Sequence, residues 1–225
     1  MSSNLLLLRT GRQRRAGASV ILAHRRTTRW ASVSYFFINR WGETVNLKVT
    51  TIAVLALLVS ACSTYTTPRY AIDADTNVAL KGLNTSGLSV GAFTGPTSFD
   101  NSCRAAGPLA APDGMSYSEY IRKALEDELK VAGVYIEAHP RITLSGVVNK
   151  LEFSSSRGLT GGSWDIQVSL NSSNGKTLLV AEHYEFESGF IADTACKQTA
   201  EAYFPAVQDL IAKAVRSPEF KALIQ

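Results

Sequence analysis

A 13-residue run, Val49–Ala61, lies between Lys48 and Cys62 and decides which part of this 225-residue chain has to fold. A helix that crosses a bilayer needs roughly 20 apolar residues, so the run is too short to span one. A basic residue, a short hydrophobic segment and a close of small residues are instead the parts of a secretory leader. We therefore read 45–61 as a signal peptide and place the folded part after it. The 164 residues from Cys62 onward are enough for one domain with its own core. Charge divides at the same point. Residues 1–61 carry nine of the 23 basic residues and one of the 19 acidic ones, leaving 14 basic and 18 acidic residues in the rest. The exported part is acidic, and no clustered Lys/Arg footprint for nucleic acid remains on it.

Val59-Ser60-Ala61-Cys62 resembles the bacterial lipobox. That resemblance implies cleavage before Cys62, a diacylglyceryl group on its thiol, and a membrane partner reached through that lipid. The alternative is an ordinary signal peptide with an incidental cysteine. Ser63 follows where Asp would favour inner-membrane retention, so the periplasmic face of the outer membrane is the expected location. Residues 1–44 are rich in Arg and Ser, hold no Lys, and also resemble a mitochondrial presequence. A transit peptide would not precede a complete leader. We expect translation to begin at or near Val45, with 1–44 read in frame upstream, unfolded and outside the fold argument.

Two further cysteines, Cys103 and Cys196, form an even pair in an oxidising compartment, where a disulfide between them is the first expectation and two buried thiols the second. Two cysteines and two histidines without CxxC or HxxxH spacing make a poor zinc site, and no metal or cofactor is expected.

Residues 62–84 are polar and read as a tether, with an early strand around Val78–Leu80. The Asp73-Ala-Asp75-Thr-Asn77 cluster opens like an EF-hand loop, but Val78 and Asn84 stand where Gly and Glu are required, which excludes calcium there. A single domain is expected over 85–225. Leu88–Phe93 is its first strand, with Leu88, Val90 and Ala92 on one face, followed by a Gly/Pro/Ser-rich loop over Thr94–Gly114. Ser116-Tyr117-Ser118-Glu119 is a capping box, and the helix it opens stops at Gly133. Arg141–Phe153 alternates as a strand but slips phase after Val148, predicting a bulge near Asn149–Lys150. The next two strands carry Trp164, Ile166, Val168 and Leu170, then Leu178, Val180, Tyr184 and Phe186. A two-residue Asn174-Gly175 turn would split these apolar sets between faces. A three-residue loop, Ser173–Gly175, pairs Leu170 with Leu178, Val168 with Val180 and Trp164 with Tyr184. Asp193 can cap a last long helix, which Pro205 should kink or divide near Tyr203. Ser217-Pro218-Glu219 restarts a short terminal helix whose Phe220, Leu223 and Ile224 pack back.

The order β-α-β-β-β-α predicts an α+β fold: a mostly antiparallel four-stranded sheet with two main helices packed on one face. A right-handed crossover makes the first two strands parallel and sends both cysteine loops from one end of the sheet. Closing the 93-residue span between Cys103 and Cys196 would stabilise the fold by roughly 3–5 kcal/mol in the chain-entropy account.

Candidate chemistry is thin. Gly87-Leu88-Ser89-Val90-Gly91 matches the G-x-S-x-G nucleophile elbow, which needs Ser on a strand-to-helix turn with a base and an acid from later loops. Ser89 falls inside a strand and is read as solvent-facing. His139 and His183 receive no role. Glu126, Asp127, Glu128, Glu185 and Glu187 read as solvated faces, and Tyr184, Phe186, Phe190 and Trp164 as core packing rather than an exposed patch. The chain is not expected to be an enzyme.

The helix Ser118-Glu119-Tyr120-Ile121-x-x-Ala124-Leu125-Glu126-x-Glu128-Leu129-x-x-x-Gly133-Val134-Tyr135, the Asn174-Gly175-Lys176 hairpin, Tyr184-x-Phe186-Glu187-x-x-Phe190 and Ser217-Pro218-x-Phe220 together resemble YajG-type bacterial envelope lipoproteins. The likeness covers about Ser116–Leu223 and the lipobox; the cysteine pair and Pro205 depart from it. It implies an outer-membrane lipoprotein and supplies no catalytic residues. Two functions follow: a non-catalytic scaffold that binds an envelope protein partner, or a periplasmic carrier of a small ligand or lipid. The second requires a cavity between sheet and helices.

Overall fold

The computed structural model describes residues 63–225 apart from Thr97 and Leu159. Cys62, the leader and residues 1–44 lie outside the described residues. In chain order the elements are β1 (Tyr65–Thr66), α1 (Ala74–Gly82), β2 (Leu88–Thr94), β3 (Ser102–Cys103), β4 (Gly107–Ala110), a 3-10 turn (Pro112–Gly114), α2 (Tyr117–Ala132), β5 (Ile142–Arg157), β6 (Gly161–Ser172), β7 (Thr177–Glu187), α3 (Ala192–Arg216) and α4 (Pro218–Ile224).

The main sheet has the order β2-β5-β6-β7, with β2 and β5 parallel and the other two pairs antiparallel. Alternation places Trp164, Ile166, Val168 and Leu170 on its inner face, all buried. Helices α2 and α3 cover that face: Tyr117 of α2 and Tyr203 of α3 stand 5.9 and 4.7 Å from the Trp164 ring, and the indole donates 2.8 Å to the Thr199 carbonyl. The α+β arrangement expected from the sequence is the one observed.

Local chemistry sets the boundaries. Ser116 Oγ accepts from the Glu119 amide at 3.1 Å and opens α2, which ends at Gly133 in the left-handed conformation. The Glu119 carboxylate is bound by Arg122 at 2.8 Å, so only the serine half of the capping box forms. The three-residue loop holds, with Gly175 at φ 84° and the pairs Leu170–Leu178, Val168–Val180 and Trp164–Tyr184 in register. The β5 bulge falls between Val148 and Lys150.

Five expectations need correction. First, residues 63–84 are folded onto the domain: β1 lies parallel to β4, and Val78–Leu80 sits in α1, not in a strand. The segment's polar composition masks its attachment, which rests on a few apolar anchors, among them the buried Tyr65 and Leu80, together with polar contacts. Tyr120 Oη donates to the Pro68 carbonyl at 2.9 Å, and Gln208 Nε2 donates to the Ala71 carbonyl at 2.9 Å. Second, the loop over Thr94–Gly114 contains β3 and β4, strands too short to show a period. Third, β2 shifts register between Val90 and Phe93, which turns Phe93 inward and leaves Ala92 exposed. Fourth, α3 starts earlier than expected, at Ala192 after Ile191 and without a side-chain cap, which places Asp193 inside its first turn, where it accepts from Tyr65 Oη at 3.0 Å. Fifth, Pro205 does not divide α3. Its flanks Ala202, Tyr203, Ala206 and Val207 are all buried, so packing on both sides holds the helix through the missing amide.

Candidate functional site

The site is made by a difference in strand length. Strand β5 has 16 residues and β2 only 7. Pairing with β2 ends at Thr94–Val147, whereas pairing with β6 continues to Arg157–Gly161. From Val148 to Ser156, β5 therefore has a strand on one side only. Peptide groups in a strand point alternately to the two sides, so this stretch offers amides and carbonyls along an open edge.

The chain leaving β2 bends around that edge without filling it. A groove of about 830 Å³ separates Pro96, Ser98, Phe99, Asp100, Ser102 and Arg104 from Asn149–Ser156. Its floor is aromatic: Phe99 stands 6.1 Å from Phe153, which packs 5.1 Å from Trp164. Arg104 closes one end. Its Nε donates to Ser155 Oγ at 3.1 Å, one terminal nitrogen to the Ser155 carbonyl, and the other to the carbonyls of Gly189 and Phe190 at 3.2 and 3.0 Å. Asp100 accepts from the Ser102 amide at 2.9 Å, which holds its carboxyl below the usual range. Lys150 stands on the rim, 3.2 Å from Glu152 and 3.8 Å from Asp165.

Cys103 and Cys196 are joined, with Cα atoms 5.8 Å apart and both residues buried. The bond ties the β3 end of the groove wall to α3. Cys62, the expected lipid site, lies outside the described residues.

The other candidates are dispersed. Ser89 is buried rather than solvent-facing, and its hydroxyl shares a 2.9 Å hydrogen bond with Thr143 Oγ1 across the β2–β5 pair. His183 lies on the outer face of the sheet, with Nδ1 2.9 Å from Asp165 and Nε2 3.2 Å from Glu185. His139 precedes Pro140 at φ 53°. Trp164 is buried, Tyr184 and Phe186 are half-buried, and Phe190 is 80% exposed, so these aromatics form no single patch and Phe190 is not core.

Glu128 corrects the reading of its acidic run as solvated. It is fully buried, and its Oε1 accepts from Tyr70 Oη at 2.9 Å and from the Asp73 amide at 2.7 Å. Its Oε2 has no partner among the described residues. Burial pushes its carboxyl above the ordinary value of 4.5, against the pull of those donors. The carboxyl holds the chain before α1 against α2.

Among the described residues, the helices pack closely on the sheet. The void lined by Phe93, Ile121, Leu125, Val168 and Leu210 measures about 20 Å³, room for roughly one water and not for an acyl chain. The carrier reading fails on that volume. Sequence reasoning missed the groove itself, although the mismatch between a short Leu88–Phe93 strand and a long Arg141–Phe153 strand was its visible signal.

No protein-family model matches the chain, and no curated protein matches it. Among solved structures, a Xanthomonas campestris protein of family DUF330 is similar at 9% identity and TM-score 0.45, covering 71% of this chain and 99% of its own. A Caulobacter crescentus protein described as a candidate lipoprotein is similar at 12% identity and TM-score 0.34, covering 66% and 91%. Likeness at that level carries no argument about activity.

Proposed function

We propose that this chain is a YajG-like envelope lipoprotein, held at the periplasmic face of the outer membrane by lipid on Cys62, whose domain binds an extended segment of an envelope protein without catalysing a reaction. The observation that carries the binding reading is the open edge of β5 beside a groove with an aromatic floor. An extended peptide laid there adds a strand to the sheet: main-chain hydrogen bonds supply affinity, and the floor selects alternate side chains. The bulge at Val148–Lys150 and the Lys150 charge discourage indiscriminate pairing with other edges.

The test is photo-crosslinking in intact cells. A photoreactive residue at Glu152 should give a discrete adduct with an envelope protein, and one at Leu179, exposed on β7, should not. In membranes holding the partner, amides of Val148–Ser156 should exchange more slowly than in the purified protein. No adduct at Glu152, or unchanged exchange along that edge, rejects the reading. Mass spectrometry of the membrane fraction should find a diacylated Cys62 as the first residue.

A further inference from the structure

From the position of the chain's exit, we infer that Phe190 and Ile191 form a membrane-docking tip that enters the lipid surface beside the anchored N-terminus. This rests on the lipid reading of Cys62 and adds a second, non-covalent hold that fixes the domain's orientation. Phe190 is 80% exposed and Ile191 69%, adjacent in sequence at the turn between β7 and α3. Large apolar side chains exposed together mark contact surfaces more often than scattered single ones do.

What covers them is decided by where the chain comes from. Ser63 is one peptide from Cys62, about 3.8 Å between Cα atoms. It is already fixed to the domain: its carbonyl lies against the Cα of Gly107, where any Cβ would collide with it. Gly107 pairs with Cys103, and the neighbouring Arg104 donates to the Phe190 carbonyl at 3.0 Å. On the other flank, Tyr65 Oη donates at 3.0 Å to Asp193, two residues from Ile191. Two independent routes thus join the chain's exit to the tip, and the disulfide between Cys103 and Cys196 braces that end. A lipid on Cys62 has no tether length over which to hold the domain clear of the bilayer. The end carrying Ser63 must rest on the lipid surface, and the tip at that end is apolar.

The test uses the lipidated protein reconstituted into phosphatidylethanolamine/phosphatidylglycerol vesicles with brominated acyl chains. Beyond the leader the chain has a single tryptophan, Trp164, which is fully buried and serves as a constant background. Phe190→Trp should show emission shifted to the blue and loss of intensity with brominated lipid. Leu179→Trp, 58% exposed near the far end of β7, should keep its aqueous emission and stay unquenched. If the protein floats with the vesicles but Trp emission at 190 matches that at 179, the anchor stands and the docking tip is overturned, leaving that surface to a protein partner. If the protein does not float and lacks the diacylated cysteine, the anchor reading fails and the inference falls with it.

Discussion

Glu128 shows how a single residue can be misread from its neighbours. Charged residues in a Glu-Asp-Glu run on a helix normally face water; here Glu126 and Asp127 are half-buried and pair with Arg122, Lys130 and Lys123 along the helix surface. Helical geometry turns the third member of the run inward, where Tyr70 and the Asp73 amide meet it. The spacing of Leu125, Leu129 and Ala132 made the buried stripe of α2 legible, but nothing local signalled that a tyrosine 58 positions upstream would receive a carboxylate. The pH consequence follows from the raised carboxyl. Because the folded form binds the proton more tightly than the unfolded chain, the stabilising contribution is complete below about 4.5 and is lost as pH rises through the higher folded value. Glu128→Gln keeps an acceptor for both donors and removes that loss. The stability of the variant relative to the native protein should therefore rise with pH above about 4.5, by up to about 1.4 kcal/mol per pH unit in the titrating window. Denaturation midpoints measured from pH 4 to 8 check it, and a flat difference refutes it.

At the level of elements, the sequence was readable wherever a period was long enough to repeat. The hairpin register came from requiring apolar pairs on one face, and the terminal helix from Ser217-Pro218-Glu219; Ser217 Oγ does accept from the Glu219 amide at 3.3 Å. Short strands have no such signature, which is why β1, β3 and β4 were invisible and the small sheet they form was read as tether and loop. Helix α3 is a different case, since its breaker is visible in the sequence but the packing that carries the helix through it is not. A proline inside a helix removes the hydrogen bond to the carbonyl four residues earlier, here Glu201, an exposed position where water can replace it. Pro205→Ala should restore that bond and raise stability by about 1–3 kcal/mol. Urea unfolding measures the change; a loss of stability would show that the proline ring contributes packing that outweighs the missing bond.

For the whole molecule, connectivity is the strongest constraint. A crossover between parallel β2 and β5 and two hairpin reversals bring both cysteine segments to one end, and Cys103 and Cys196 meet there. The groove was not derivable by the same logic, because topology says which strands are neighbours and not how far each extends. Replacing both cysteines by serine should lower stability by roughly 3–5 kcal/mol, the value for closing a long loop. The loss should be uneven. Hydrogen exchange should accelerate first over 98–110 and 188–196, the segments the bond joins, with the Trp164 region following only on global unfolding. Equal acceleration everywhere would mean that the bond acts on the unfolded chain alone.

The parallel pairing of β1 with β4 spans only Tyr65–Leu109 and Thr66–Ala110, and the Thr67 amide extends it by a 2.9 Å bond to the Ala110 carbonyl. In the proposed anchored state this ladder is the first structure that any tension through Cys62 would load. Pull on the domain would be borne by a few hydrogen bonds and the Tyr65–Asp193 contact, so the N-terminal strand would peel away while the disulfide-braced body stayed folded. The molecule would yield at its attachment, lengthening its leash under load and keeping its binding edge intact.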